Sequence, residues 1–218
     1  MKSTGSYTEW VDRRLVSVTH HTVRDTEICA SIQKWLERAV IGLNLCPFAK
    51  AVHAKGQVRY VVSHAQTEDA LLDDLETELK FLTEAVPEDV DTTLLITPDV
   101  LTDFADYALF LDLVEVVLRS YGLTGILQVA SFHPNYVFAD AEADDIANYT
   151  NRAPYPILHL LREASLARST AACPDAAEIY ERNIETMNKL GIDGWLELDV
   201  DAPAENPLGH SVTTAPRR

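Results

Sequence analysis

The stretch VRYVVSHAQTEDALLDDLETELKFLTEAVPEDVDTTLLIT, residues 58–97, decides the fold of this chain. It opens and closes with short apolar runs, 58–63 and 92–97, which are typical of buried strands. Between them leucines recur at helical spacing after Thr67, whose hydroxyl can cap a helix that begins with two acidic residues. Because a helical connection of this length joins parallel neighbours, the stretch predicts a strand–helix–strand unit.

The same alternation continues towards the C-terminus. A second long helix is predicted from Asp103 to about Ser120, and a third apolar strand over residues 125–132. Strands that are apolar along their whole length are typical of parallel sheets with helices on both faces. We therefore expect an α/β fold of three-layer type, with a mainly parallel sheet and a β-α-β-α-β core, followed by a long loop and C-terminal helices.

Three regions of the chain have different compositions. Residues 1–24 have weak periodicity and are expected to form an N-terminal arm, whereas residues 25–200 are expected to form one α/β domain. That domain should begin with a helix that ends near Gly42. Residues 201–218 are polar and contain prolines, which indicates a disordered tail.

The region after the third strand combines an irregular segment with helical patterns. Residues 133–155 are too long for an idle connection in a compact domain. Pro156 suits the first turn of a helix, and another helix is predicted from Asp175 to Gly191. A late strand is predicted over residues 194–200.

The composition excludes several classes of function. The net charge of the 218 residues is −16 and no basic patch is visible, which argues against binding to nucleic acid. No apolar run is long enough to span a membrane and no secretory signal is visible, so we expect a soluble, cytoplasmic protein. The sequence also lacks a glycine-rich phosphate loop and the familiar spacings of metal ligands. No cofactor, metal or oligomeric state is assigned.

Polar side chains follow each of the three predicted strands. His64, Asp99 and His133 come at or just after the strand ends. Because ligands of open parallel sheets bind outside the carboxyl ends of the strands, these positions predict a binding edge. His133 is the first candidate for an acid, a base or a metal ligand, and the alternative is an imidazole bonded to a backbone carbonyl.

The loop and the helix predicted after it supply further candidates. Arg152 follows Asn148 and Asn151, which suits either an anion clamp with two orienting amides or a group that ties down irregular backbone. If residues 156 onward are helical, His159 and Arg162 share a face, either as part of the site or held by a structural contact with Glu163.

Cys46 has the most unusual setting of the three cysteines, between a helix and Pro47. A nucleophilic thiolate needs a cation, a helix N-terminus or a metal to lower its pKa, and the sequence shows none of these directly. Cys46 is therefore either a catalytic candidate or a buried, inert thiol. Cys29 and Cys173 are weaker candidates, and the odd count and wide spacing argue against a disulfide framework.

Three motifs together resemble those of domain-of-unknown-function family 1415, an uncharacterised and mostly bacterial family. They are GLNLCPFA at 42–49, LQVASFHPNYVFA at 127–139 and NYTNRAPYPILHLLREAS at 148–165. The resemblance covers roughly residues 32–192 and departs from the family pattern at Ala108, where asparagine is expected. It implies no activity. The motif positions that it marks are Cys46, Pro47, His133, Pro134, Asn148, Asn151, Arg152, Pro154, Tyr155, Pro156, His159, Arg162 and Glu163.

Two classes of function follow from these candidates. The first is an enzyme that acts on a small polar or anionic metabolite, with His133 as the acid or base and Arg152 as the anion clamp. His159 and Cys46 would be further catalytic candidates, and the expected substrate-binding residues are Asn148, Asn151, Arg152, Arg162 and Tyr155. The second is a non-catalytic protein that binds a ligand or a partner. A metal-dependent enzyme using His133 and His159 is a variant of the first.

Overall fold

A four-stranded mixed sheet lies at the centre of this α/β domain, which we describe from a computed structural model for residues 23–171 and 179–201. The strand order is β1-β2-β4-β3. Strands β1 and β2 are parallel, whereas β4 is antiparallel to both of its neighbours. The strands are β1 (Val58–Val62), β2 (Thr92–Ile96), β3 (Leu127–Phe132) and β4 (Ile157–Arg162).

The expectation of a mainly parallel sheet is wrong because of β4. The helix predicted from Pro156 is instead this strand. It lies between β2 and β3 and forms backbone hydrogen bonds with both of them. The run ILHLLR is apolar because a central strand is covered on both faces, and such a run does not distinguish a strand from a buried helix. Strand β3 still runs in the direction of β1 and β2, because two antiparallel pairings separate it from β2.

The two long helices between the strands form where the sequence predicts them. Thr67 accepts a hydrogen bond from the backbone N–H of Ala70 at 3.3 Å, and Asp103 caps the next long helix. None of the helices within the described ranges is long and apolar enough to cross a membrane. The helices are α1 (23–35), its π-helical continuation (Leu36–Ile41), α2 (Ala49–Ala54), α3 (Glu68–Glu84), α4 (Phe104–Ser120), a 3-10 helix (Ile146–Asn151), α5 (Glu163–Ala171) and α6 (Ile179–Glu197).

The C-terminal helix α6 differs from its prediction. It does not close at Gly191 but passes through a kink there and continues to Glu197, so the strand predicted over 194–200 is also wrong. Gly191 has a φ of 64°, which a residue without Cβ adopts at little cost, and helical turns resume after it. Most of the predicted arm and tail, and Cys173, lie outside the described residues.

The sheet separates two apolar clusters, because successive side chains of a strand point to opposite faces. On the α3/α4 face, Leu95 and Leu160 lie in one cluster with Phe110. On the α1/α6 face, Leu94 lies in the other cluster with Trp35. The register places Leu94, His159 and Ala130 side by side on the α1/α6 face.

Candidate functional site

A cavity of about 160 Å³ lies over the α1/α6 face of the sheet. Its floor includes Leu94, His159 and Ala130 from three adjacent strands. Most of the lining is apolar, and the polar groups are confined to a few positions, which is the usual composition of a small-molecule site. The wall also includes Trp35, Leu36 and Val40 from α1 and its continuation, Cys46, Phe48, Ala49 and Val52 around α2, Val58, Thr92, Phe132 and Leu161 from the sheet, Asp91, Arg162, and Ser165 and Leu166 from α5.

His159 is held in one orientation by its neighbour on β2. Its Nε2 lies 2.7 Å from the Thr92 Oγ1, and that hydroxyl donates to the Leu160 carbonyl at 2.6 Å. Since the hydroxyl proton is used on the carbonyl, Nε2 carries the hydrogen of the first bond, and Nδ1 is left as an acceptor. Nδ1 receives no hydrogen bond from the described residues. Burial lowers the pKa of His159 to about 4, so the ring is neutral at physiological pH.

Cys46 lines the same cavity as His159. Burial raises the pKa of its thiol, and the opposing effect of hydrogen bonds with the backbone of Phe48 and Ala49 does not outweigh it. The side chain is therefore a neutral thiol at physiological pH, whereas a nucleophilic cysteine requires the thiolate.

A polar cluster of Asp91, Arg162 and Ser165 lies at one end of the cavity. The Ser165 hydroxyl donates to the Asp91 carboxylate at 2.5 Å. Arg162 donates from one terminal nitrogen to the carbonyls of Ala85 and Val90, at 2.7 and 3.3 Å, and its buried Nε has no hydrogen-bond partner. Burial lowers the pKa of Arg162, while Asp91 and Glu88 act in the opposite direction. The guanidinium stays protonated, and the carboxylates of Asp91 and Glu88 offset its positive charge only in part.

His133 lies on the other face of the sheet. Its Nδ1 accepts a hydrogen bond from the backbone N–H of Asn135 at 3.0 Å, so its Nε2 donates to the Leu101 carbonyl at 3.1 Å. The rings of Phe104 and Tyr107 from α4 pack against the imidazole at 5.3 and 5.1 Å. The side chain is fully buried, and this burial lowers its pKa. Both ring nitrogens therefore bind backbone groups.

The polar residues of the long loop bind the loop itself. Asn148 is fully buried, accepts from the backbone N–H of Phe138 at 3.0 Å and donates to the Glu142 carbonyl at 2.8 Å. Asn151 donates to the Ser131 carbonyl at 3.1 Å, at the end of β3. These bonds replace the regular backbone pairing that an irregular segment lacks.

Arg152 also binds backbone groups of the loop. It donates to the carbonyls of Tyr136 and Ala143 at 3.4 and 2.9 Å, and its guanidinium lies 4.0 Å from the centre of the Tyr149 ring. Its own carbonyl accepts from the indole of Trp35 at 2.9 Å, which joins the loop to α1. Arg152 thus connects three parts of the loop.

The start of α1 covers the carboxyl ends of β1 and β2. Arg24 forms two hydrogen bonds with the Asp99 carboxylate, at 2.5 and 2.9 Å. The imidazole of His64 lies 3.3 Å from the Asp25 carboxylate. Tyr155 is half-buried on the same side, and burial raises the pKa of its hydroxyl while Arg24 lowers it. Polar side chains do meet at the predicted edge, and they pair with α1.

The structure therefore brings together some of the candidate residues and separates others. Cys46, His159 and Arg162 line one cavity, whereas His133 faces α4 and the loop residues bind backbone. The sequence interpretation missed Thr92, Asp91 and Ser165. Thr92 is recognisable in the sequence as a polar residue within an apolar strand. Asp91 and Ser165 have no such signal, because only the position of β4 in the sheet shows that they line the same cavity.

Within residues 23–171 and 179–201, no group of three His, Cys, Asp or Glu side chains is arranged to hold a metal ion. Residues 27–197 match the model of a family described as "Protein of unknown function (DUF1415)". Comparison with curated proteins and with solved structures gives no match.

Proposed function

Because the chain belongs to DUF1415, a family of proteins of unknown function, we propose its function from the cavity: the protein binds a small, mainly apolar molecule between the sheet and helices α1, α2 and α5. The observation that carries this proposal is the neutral imidazole of His159 in an otherwise apolar floor. Its Nδ1 is an acceptor that no described residue uses.

The surroundings of His159 support a ligand at this position. The ring lines the cavity, and its Nδ1 has no hydrogen-bond donor among the described residues. A ligand with a hydroxyl or N–H group opposite Nδ1 would supply that donor and would cover the apolar side chains of Trp35 and Leu94. The fixed tautomer would make the ring a selective acceptor.

The protonation states of Cys46 and His159 support binding better than they support catalysis. Cys46 has a raised pKa and His159 a lowered one, so both are neutral near pH 7. A thiolate–imidazolium pair needs the opposite shifts. The cavity therefore supplies shape, apolar surface and one fixed acceptor.

An enzyme that acts on a small polar or anionic metabolite is the second candidate. The observation in its favour is that Cys46 and His159 line one cavity. Its base would be His159, because the ring nitrogens of His133 bind backbone groups. A metal shared by the two histidines is not supported, since they lie on opposite faces of the sheet.

Calorimetric titration with octanol tests the proposal. We expect saturable binding at one site, and we expect Ala130→Leu, which fills the floor of the cavity, to weaken it at least about tenfold. Ala108→Leu is the matched control, because Ala108 is exposed on α4 and away from the cavity. Circular dichroism would establish that both variants fold. Absence of saturable binding, or equal affinity in a folded Ala130→Leu variant, would overturn the proposal.

A further inference from the structure

A second recess of about 520 Å³ lies beside the cavity, and we call it the polar groove. The two share Phe48, Val52, Asp91 and Ser165 in their walls, so they lie next to each other and only these side chains stand between them. The groove adds the charged side chains of Lys55, Glu88 and Arg168. An apolar recess thus adjoins a charged one.

The charges around this junction differ from those of the chain as a whole. Three cations, Lys55, Arg162 and Arg168, face two acids, Glu88 and Asp91, so the local balance is 3 − 2 = +1 in a chain with a net charge of −16. In the described part of the chain, none of the three cations forms an ion pair with a carboxylate within 4.0 Å. The positive charge is therefore available to a ligand.

The hydrogen bonds of the junction favour an anionic ligand over a cationic one. Arg168 donates to the Ser165 hydroxyl at 3.0 Å, and this hydroxyl donates to Asp91. One oxygen of the Asp91 carboxylate is thus already in use, and Arg168 keeps further N–H groups for a ligand. Arg162 is half-buried, so water screens its charge less than it screens that of the exposed Glu88.

We propose that the ligand is a monocarboxylate with a mainly apolar body. The body lies in the cavity, where a hydroxyl or N–H group of the ligand can meet Nδ1 of His159, and the ionised carboxylate lies in the polar groove beside Arg168 and Lys55. This inference rests on the proposed function, since it names the chemical class of the molecule bound there. A carboxylate matches a guanidinium, which can donate two parallel hydrogen bonds to it. The long side chain of Lys55 adds a point charge to the groove.

Calorimetric titration with octanoate, octanol and octylamine, which share one hydrocarbon chain, tests the inference. We expect octanoate to bind at least about tenfold more tightly than octanol, and octylamine to bind most weakly. The double variant Lys55→Gln/Arg168→Gln should reduce the affinity for octanoate to that for octanol and leave octanol unchanged. Lys80→Gln/Lys189→Gln is the matched control, since both lysines are exposed and outside the two recesses.

The outcomes separate this inference from the proposed function. If octanol binds and octanoate binds no more tightly, the cavity is a ligand site and the carboxylate assignment is overturned. Tighter binding of octylamine overturns it as well, because the acidic residues would then recognise the head group. If none of the three molecules binds, the proposed function fails too. An affinity for octanoate that the double variant retains also contradicts the role of the groove.

Discussion

His159 donates a hydrogen bond to Thr92 across the β2–β4 pairing, with 2.7 Å between Nε2 and Oγ1. The two residues are diagonal neighbours on the cavity face, since the residue directly opposite His159 is Leu94. The bond fixes the tautomer of a ring that burial keeps neutral. The same contact therefore holds two strands together and sets the hydrogen-bonding character of the cavity floor.

The stability of the protein should depend on pH through this ring. The pKa of His159 is about 4 in the folded protein and about 6.5 in an unfolded chain, so the unfolded state takes up a proton first on acidification. The free energy of unfolding should fall between pH 6.5 and 4, by at most about 1.4 kcal/mol per pH unit from this group. His133, whose pKa burial also lowers, adds to the slope in the same direction.

Urea denaturation at several pH values measures this slope, and His159→Gln should reduce it because glutamine does not titrate. Glutamine can still donate to Thr92, so the strand contact is retained. An NMR titration that gives His159 an ordinary pKa near 6.5 would contradict the prediction.

Arg152→Ala should destabilise the protein by about 1–3 kcal/mol, because it removes two hydrogen bonds and the contact with the Tyr149 ring. Chemical denaturation measures the loss. The binding of octanol and octanoate to the folded variant should be unchanged, since the guanidinium binds the loop and does not line the cavity. A variant with unaltered stability that loses binding of octanoate but not of octanol would restore Arg152 as an anion clamp.

Tyr107→Phe should also destabilise the fold. The buried Tyr107 hydroxyl donates to the Ile157 carbonyl at 2.7 Å and accepts from the backbone N–H of Phe132 at 3.2 Å. Loss of both bonds at the junction of β3 and β4 should lower the free energy of unfolding by about 1–3 kcal/mol. Tyr121→Phe is the control, because its side chain is exposed and its hydroxyl donates to the Glu76 carboxylate at the surface. Equal thermal midpoints for the two variants would refute the assignment.

Arg59→Leu should cost about 2 kcal/mol of stability, because it leaves the buried Glu78 carboxylate without its partner. The guanidinium of Arg59 makes two hydrogen bonds to Glu78, at 2.9 and 3.0 Å, and lies over the Phe81 ring. Thermal denaturation measures the effect. Lys189→Ala, which breaks an exposed pair with Glu185, should leave the midpoint unchanged.

Local signals predict those parts of the fold that local interactions determine. Thr67 caps its helix as expected, the helix predicted from Asp103 forms directly after that residue, and β1, β2 and β3 form from the apolar runs assigned to them. The run at residues 157–162 is leucine-rich and follows a proline, so its local preference agrees with a helix. Only the two open edges of β2 and β3, which are remote in sequence, make it a strand.

Contacts between residues that are remote in sequence also limit prediction of the candidate site. The sequence marks Cys46 and His159 as reactive groups, but no pattern in it places them in one cavity. His133 is the first candidate because it follows a strand, yet the alternation of side chains places it on the opposite face of the sheet from His159. The side of a sheet to which a residue points becomes known only with the complete register.

The position of β4 has a consequence for how the chain folds. Strand β2 pairs with β1 early in the sequence, but its other edge pairs with β4, as in Thr92 with Leu161, so that edge stays open until residues 157–162 have been synthesised. Strand β3 likewise has no partner in the sheet before then. Contacts between such distant residues form slowly, and open edges can pair with other chains. The nascent protein is therefore most exposed to aggregation just before its central strand appears.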